Sequence, residues 1–117
     1  ARRLPFYPWM KPSIAICNES SYSNAEIFSH AYKTLGIGTL VGKPTFGAVI
    51  STGGKGLLDG SFVRLPFRAW YVKATKENME HGPAVPDIIV DNDPGCKAEG
   101  RDPQLTTAVQ YLMEKIK

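Results

Sequence analysis

The first third of the chain has a buried-strand pattern, then a helix pattern, then a second buried-strand pattern. The segment "SIAIC", residues 13–17, is a short apolar run after a proline and is typical of a strand buried on both faces. The helix pattern follows, with an apolar face made of Phe28, Ala31, Tyr32 and Leu35. Gly36 is placed to end that helix in the left-handed conformation, and "TLVG", residues 39–42, is the second strand. Two buried strands joined by a helix predict an α/β domain.

The middle of the chain is β-like. Residues 47–73 contain several strand-forming segments, and Asp59-Gly60 is a strong hairpin signal between them. "PDIIV", residues 86–90, predicts another short strand. The polar loop that precedes it, residues 74–84, is long enough to be functional rather than a simple connection.

A second helix is predicted at the C-terminal end. Asp102 is placed as its N-cap, and Pro103 suits its first position. Its apolar stripe is Leu105, Ala108, Val109, Leu112, Met113 and Ile116. The order strand, helix, strand, hairpin, strand, helix is that of one α/β domain, with residues 1–12 as a lead-in segment.

Length, charge and composition exclude several kinds of protein. The chain has 117 residues, enough for one domain, and its net charge of +3 includes no run of more than two basic residues. Charge therefore gives no support to a nucleic-acid or membrane-surface partner. The apolar segments are too short to span a membrane. No signal peptide is visible, which leaves a cytoplasmic, periplasmic or secreted location open.

No residue pattern indicates a metal ion or a cofactor. Cys17 and Cys96 lie 79 positions apart, and neither belongs to a C-x-x-C motif or completes a ligand set with His30 and His81. "STGGKG", residues 51–56, lacks the spacing of a phosphate-binding loop. We therefore predict no metal site and no cofactor.

The turn before the first helix, "NESSYSNAEIF" at residues 18–28, contains three serines. Ser23 and Glu26 fit the capping box S-x-x-E, in which the serine accepts from a backbone N–H and the glutamate reaches back. The position also suits a nucleophile, because a serine between strand and helix lies beside unpaired N–H groups and the positive end of the helix dipole. Those groups stabilise the oxyanion of an acyl-transfer intermediate. The residues alone leave both roles open.

Three ordered motifs resemble those of the tail-specific, or C-terminal processing, serine proteases, and most closely their tricorn branch. They are the serine of "SNAE", the segment "GTLVGKPTFG" at residues 38–47, and "NMEHGPAVPDIIVDNDPGCKAEGRDPQL" at residues 78–105. The similarity extends over residues 13–117. It implies a Clp-protease/crotonase-like α/β fold and a serine peptidase that cleaves a peptide or protein substrate through an acyl-enzyme.

The resemblance implies roles for a few residues. Ser23 matches the nucleophile, and the backbone N–H of Asn24 matches one oxyanion-hole donor. Glu80, six residues before "PD", matches the acid that helps to orient the base, in the tricorn branch through an intervening serine. Thr45 and Gly47 match positions that shape the substrate-binding cleft beside the nucleophile.

The general base of the family has no counterpart in this sequence. His30 lies seven residues beyond Ser23 in the same helix, about 10 Å along its axis, which is too far to take the serine proton. His81 adjoins the predicted acid, where the family has no histidine. The resemblance implies that the base lies upstream, so that residues 1–117 are the C-terminal portion of a catalytic domain and are inactive alone. The absent segment is expected to leave apolar surface uncovered, which favours self-association.

Two other functions are compatible with this fold. One is a non-catalytic module that holds an extended peptide at an exposed strand edge. The other is a crotonase-like enzyme that acts on thioesters, although its oxyanion hole requires no serine at this turn. A fluorophosphonate separates a protease from a binding module, because it labels Ser23 in the protease and leaves the module unlabelled.

Overall fold

A small parallel sheet is the centre of the fold in this computed structural model, which describes residues 9–116. Most of the predicted lead-in segment, residues 1–12, therefore lies outside the described residues. In chain order the elements are β1 (Ile14–Cys17), α1 (Asn24–Thr34), β2 (Thr39–Gly42), β3 (Ile50–Gly56), β4 (Phe62–Ala69), β5 (Ile88–Ile89) and α2 (Pro103–Lys115). The sheet has the order β1–β2–β5, and both neighbouring pairs are parallel. The predicted α/β class is confirmed.

The carboxyl ends of the three parallel strands meet at one edge of the sheet. Cys17 pairs with Gly42, and Gly42 pairs with Ile89. Gly42 has φ +127°, and a Cβ on it would lie 1.9 Å from the carbonyl oxygen of Cys17, so a larger residue does not fit. In open α/β sheets this edge is where ligands usually bind. The serine-containing turn starts from it.

Helix α1 packs on the sheet through a different face from the predicted one. Glu26, Ser29 and Tyr32 are buried, whereas Phe28 is exposed and Leu35 is 72% exposed. The polar groups of the buried face are satisfied: the Ser29 hydroxyl donates to the Ala25 carbonyl at 2.8 Å, and the Tyr32 hydroxyl bonds Ser13 Oγ at 2.8 Å. Of the predicted apolar face, Tyr32 is therefore buried, whereas Phe28 and Leu35 lie at the surface. The predicted helix end is confirmed, since Gly36 has φ +62° directly after the C-cap.

Helix α2 begins as the sequence predicts. The Asp102 carboxylate accepts from the Leu105 N–H at 3.0 Å, and Pro103 is the first helical residue. The predicted stripe is buried at Ala108, whereas Leu105, Val109 and Met113 are each about half exposed. The helix therefore covers β1 and β2 with only part of its apolar side.

Strands β3 and β4 form an antiparallel hairpin whose turn contains the predicted Asp59-Gly60 pair. The Asp59 Oδ1 atom accepts from the Ser61 N–H at 3.0 Å, and Gly60 has φ +85°. Every residue of β4 is exposed, and Phe62 is 70% and Phe67 is 67% exposed. The hairpin extends away from the sheet, which explains a radius of gyration of 18.0 Å where about 13 Å is usual at this length.

The buried apolar residues form two small clusters. The first lies between α1 and the sheet and consists of Ala15, Cys17, Tyr32, Leu40 and Ala84. The second lies under the polar loop and consists of Val49, Val72 and Met79, with Ile27 packed against it. Ala84 and Met79 anchor the two ends of the segment that contains Glu80. The core therefore fixes this loop beside the N-terminal end of α1.

Candidate active site

The turn between β1 and α1 gives each of its three serines a different role. The Asn18 side-chain oxygen accepts from the Ser20 N–H at 2.9 Å, and the Asn18 carbonyl accepts from the Ser21 N–H at 2.8 Å. This is the local turn that asparagine commonly makes. The Ser21 hydroxyl accepts from the Asn18 N–H at 3.1 Å and is part of the same turn. The Ser20 residue is exposed and the third serine, Ser23, lies at the helix start.

Ser23 has a strained backbone and an uncommitted side chain. Its φ is 56° and its ψ is −111°, a combination that costs a non-glycine residue about 1–3 kcal/mol. The predicted capping box forms in part, because the Ser23 N–H donates to Glu26 Oε1 at 3.2 Å. The Ser23 side chain faces the Glu26 N–H but makes no capping hydrogen bond, and that N–H instead donates to the Ser23 carbonyl at 3.0 Å. The partly exposed hydroxyl therefore remains available.

Asn24 is the first residue of α1, and its backbone N–H is one of the helix donors that lack an intrahelical acceptor. The next N–H, that of Ala25, donates to the Tyr22 carbonyl at 3.1 Å. The Asn24 N–H donates to no group within residues 9–116. It adds to the positive potential at this helix end, directly beside the Ser23 side chain.

Glu26 is the buried centre of the site. Its side chain is fully buried and accepts four hydrogen bonds. Oε1 accepts from the N–H groups of Ser23 at 3.2 Å and Ala48 at 2.8 Å. Oε2 accepts from the Thr45 hydroxyl at 2.7 Å and the Gly47 N–H at 2.5 Å. A carboxylate with two donors at each oxygen is fully satisfied without a cation, so Glu26 binds the loop of residues 43–49 to the serine turn.

Thr45 and Gly47 lie in that loop, and both are buried. The Thr45 hydroxyl donates to Glu26 and accepts from the Ala84 N–H at 2.8 Å. Gly47 has φ +85°, and its carbonyl accepts from the His81 N–H at 2.8 Å. The Thr45 hydroxyl and the Gly47 backbone groups therefore bond other residues of the protein.

Glu80 lies in the loop that the Thr45 and Gly47 hydrogen bonds hold. Its neighbour His81 donates to Gly47, which donates to Glu26, which accepts from Ser23. Hydrogen bonds through Gly47 and Glu26 therefore connect the loop of the predicted acid to the turn of the predicted nucleophile. Glu80 Oε2 is buried and has no hydrogen-bond partner within the described part of the chain. A buried carboxylate oxygen without a partner is rare and is expected to meet a donor.

Neither histidine ring bonds Ser23 within the described residues. One ring nitrogen of His30, Nε2, bonds the Gly82 carbonyl at 2.9 Å and so ties α1 to the Glu80 loop. His81 is exposed, has φ 61°, and makes no side-chain hydrogen bond to any described residue. The prediction that His30 packs rather than acts as a base agrees with this contact.

A polar cavity of about 250 Å³ lies at the carboxyl ends of the strands, on the other side of the serine turn. Its walls include Asn18, Ser20 and Gln104 but not Ser23. Lys43 crosses it, with Nζ 3.1 Å from Asp91 and 3.7 Å from Glu19. The hydrogen bond that Lys43 donates to Asp91 raises the pKa of Lys43. Ion pairs of Lys43 therefore lie along the cavity wall, and Ser23 is not among the lining residues.

Within the described ranges, no group of three or more His, Cys, Asp or Glu side chains is arranged to hold a metal ion. No helix among residues 9–116 is long and apolar enough to cross a bilayer.

A comparison against protein families identifies the family of this chain. Residues 2–90 match the family model "Peptidase family S41". The chain belongs to peptidase family S41. The tricorn branch is also supported, because the chain is 33% identical over 105 residues to the tricorn protease of Thermoplasma acidophilum. It is 37% identical over 106 residues to tricorn protease homolog 1 of Streptomyces coelicolor.

These relatives are much longer than the chain. The two alignments cover 89% and 90% of this chain but only 10% of each relative. A putative tricorn-like protease C-terminal subunit of Sulfurisphaera tokodaii is 34% identical over 96% of the chain, which is 13% of that protein. The chain therefore spans roughly a tenth of the length of the curated relatives it matches.

Solved S41 structures have the same fold. The crystal structure of the tricorn protease superposes with a TM-score of 0.80 at 34% identity, over 87% of this chain and 10% of that one. The photosystem II D1 C-terminal processing protease superposes with a TM-score of 0.61 at 25% identity, over 68% of this chain and 20% of that one. The predicted resemblance to tail-specific and tricorn proteases is confirmed.

The residue whose place in this site could not be foreseen is Glu26. The sequence indicates a capping glutamate, and the capping contact exists. The three other hydrogen bonds connect Glu26 to residues about 20 positions further along the chain. A local motif gives no signal for such contacts, so only the fold reveals this role.

Proposed function

We propose that this S41 chain carries the nucleophile and the orienting acid of a serine endopeptidase. The observation that carries the proposal is the conformation of Ser23, which has φ 56° and lies directly before the first N–H of a helix. Strain at a residue with an uncommitted hydroxyl is typical of a functional site. In other hydrolases a nucleophilic serine likewise lies on a strained strand-to-helix turn.

In the proposed reaction, Ser23 Oγ attacks the carbonyl carbon of a peptide bond while a base takes the hydroxyl proton. The oxyanion that forms accepts a hydrogen bond from the Asn24 N–H at the positive end of α1. Collapse of this intermediate breaks the C–N bond, and the base gives its proton to the leaving amine. Water then hydrolyses the ester on Ser23, and one of its protons returns to Oγ through the base.

Glu80 is the proposed partner of that base. Its buried Oε2 atom has no donor within residues 9–116, and leaving such an atom unpaired costs about 1–3 kcal/mol. A donor from a base, or from a group that holds the base, would remove this cost. His30 is bonded to Gly82, and His81 is exposed. We therefore propose that the base comes from outside residues 1–117, and that these residues are one portion of the catalytic domain.

Thr45 and Gly47 have a supporting part in this proposal. Their polar groups bond Glu26, Ala84 and His81 rather than solvent. They shape the wall of the cleft without a direct hydrogen bond to a substrate. A peptide or protein substrate would then lie across the Ser23 turn.

The proposal is tested by Ser23→Ala in the natural full-length protein. We expect peptide hydrolysis to fall by at least about 10⁴-fold and fluorophosphonate labelling to disappear. Ser21→Ala is the matched control, because it removes a neighbouring hydroxyl that belongs only to the turn. Loss of labelling in Ser21→Ala or Ser20→Ala, with Ser23→Ala still labelled, would show that the nucleophile is misassigned.

A non-catalytic peptide-binding module remains the second candidate, and the exposed hairpin favours it. Within residues 9–116, strands β3 and β4 pair only with each other, so their outer edges offer N–H and C=O groups to an extended peptide. Peptide binding to a full-length protein that no fluorophosphonate labels would support this function instead.

We also propose that residues 1–117 alone self-associate and do not hydrolyse peptides. Phe62, Phe67, Leu105 and Val109 are exposed on two sides of the fold, and such surface favours association. Light scattering on the purified chain measures this, and a strictly monomeric species at high concentration would contradict it. Turnover that is lost in His81→Ala would show that the chain contains its own base.

A further inference from the structure

The Thr45 hydroxyl lies midway between the two functional parts of the site. It donates to Glu26 Oε2 at 2.7 Å and accepts from the Ala84 N–H at 2.8 Å. Thr45 is 5% exposed, Glu26 is fully buried, and Ala84 is 2% exposed. Water therefore cannot replace either hydrogen bond easily, and the two lengths fix the loop end relative to the Glu26 carboxylate.

The ends of this path are the residues proposed for catalysis. On one side, the Glu26 carboxylate accepts from the N–H of Ser23 at 3.2 Å. On the other side, Ala84 ends the short segment that starts at Glu80. A second hydrogen bond joins the same two residues, because the Thr45 N–H donates to the Ala84 carbonyl at 3.1 Å. The Thr45 hydroxyl thus bonds both Glu26, which holds the Ser23 turn, and Ala84, which ends the Glu80 segment.

We propose that Thr45 is a positioning residue that sets the place of Glu80 relative to Ser23. It touches neither reacting atom, so its effect is on the geometry of the catalytic groups and not on the chemistry itself. The inference rests on the proposed peptidase function. It adds that the separation between nucleophile and acid depends on one hydroxyl with two partners.

Thr45→Val removes the hydroxyl while keeping the side-chain shape. The Ala84 N–H then lacks its side-chain acceptor, and Glu26 Oε2 keeps only the Gly47 donor. Ser23 keeps its own bond to Oε1, so substrate docking beside the serine is expected to be preserved. A displacement of about 1 Å in a catalytic group lowers rates by about 10²-fold. We expect kcat to fall by about 10- to 100-fold, with KM within about threefold of wild type.

Three further variants separate positioning from general stability. Thr45→Ser restores a hydroxyl at the same place, and its kcat is expected within about threefold of wild type. Tyr32→Phe is the matched control, because it removes another buried hydroxyl, bonded to Ser13 at 2.8 Å at the opposite end of β1. It is expected to lower the melting temperature without lowering kcat. Thr45→Cys, whose thiol is a weak donor and acceptor, is expected to give an intermediate kcat.

The experiment measures kcat, KM and melting temperature for these variants of the natural full-length protein, with Ser23→Ala alongside. A kcat within about threefold of wild type in Thr45→Val would overturn the inference, as would equal losses in Thr45→Val and Tyr32→Phe. If the valine variant does not fold, a wild-type kcat in Thr45→Cys overturns it. Activity that survives Ser23→Ala would instead contradict the proposed function itself, so the two failures are distinguishable.

Discussion

Glu26→Gln tests how the buried carboxylate holds the Ser23 turn. Glutamine has the same shape, but one of the two oxygens becomes an NH₂ group. With the amide oxygen in the Oε1 place, the N–H groups of Ser23 and Ala48 keep their acceptor, and the NH₂ group faces the Gly47 N–H. The opposite orientation places NH₂ against two N–H groups instead of one. The first orientation is therefore preferred.

The expected cost follows from the lost and weakened hydrogen bonds. The Gly47 N–H stays buried without an acceptor, which costs about 1–3 kcal/mol. Two remaining N–H donors bond a neutral oxygen instead of a charged one, and each bond is weaker by about 1 kcal/mol. Glutamine is neutral, so the variant avoids the cost of burying a charge, and this offsets part of the loss. We expect local opening of residues 43–49 to become easier by about 2–4 kcal/mol.

Hydrogen exchange with residue-resolved mass spectrometry measures this opening in the full-length protein. At about 1.4 kcal/mol per tenfold change, 2–4 kcal/mol corresponds to exchange that is roughly 30- to 1000-fold faster at Gly47. Glu19→Gln is the control with the same chemical change, on a side chain that is 64% exposed and makes a 3.7 Å surface ion pair. That variant is expected to alter stability by less than about 0.5 kcal/mol.

Two results would refute this reasoning. Exchange at Gly47 that changes by less than about threefold in Glu26→Gln would mean that the four hydrogen bonds do not hold the loop. Equal acceleration in Glu19→Gln would mean that the effect is not local. Faster exchange at Ser23 and Ala48, with Gly47 protected, would show that the amide takes the other orientation.

Three further predictions concern the sheet. The Leu40 N–H, with Lys33, holds the pKa of Asp87 below its usual range. The ionised Asp87 therefore stabilises the fold at neutral pH, and this stabilisation is lost as the pH falls below about 4. Asp87→Asn should flatten the dependence of melting temperature on pH in that range. Burial raises the pKa of Cys17 to about 11, so iodoacetamide at pH 8 should alkylate it only after unfolding, as mass spectrometry would detect. Gly42→Ala should destabilise the protein by more than about 4 kcal/mol and abolish soluble expression, whereas Gly56→Ala, with open space around it, should not.

Much of the fold could be predicted because its signals are local. The apolar runs "SIAIC" and "TLVG", the Asp59-Gly60 turn and the Asp102-Pro103 start each specify a structure within a few residues. The observed strands Ile14–Cys17 and Thr39–Gly42 lie within the predicted ranges. The strand predicted at residues 86–90 is shorter, at Ile88–Ile89, since only Val41 and Gly42 of the neighbouring strand pair with it.

The burial of the helices could not be predicted in the same way. Periodicity identifies an apolar face, but it does not identify the surface that this face meets. In α1 the face against the sheet contains Glu26 and Ser29, whose polar groups find partners, and Phe28 lies outside. In α2 only Ala108 of the predicted stripe is fully covered. Both outcomes depend on packing between elements that are distant in sequence.

The strain at Ser23 and the burial of Glu26 are physically connected. A backbone conformation that costs about 1–3 kcal/mol persists only where surrounding contacts determine it. At Ser23 those contacts are the N–H bond to Glu26 and, through Glu26, the hydrogen bonds of Thr45, Gly47 and Ala48. A shorter or neutral side chain at position 26 would leave the strained turn without that support. The glutamate of S-x-x-E is therefore the residue that holds Ser23 in its strained conformation.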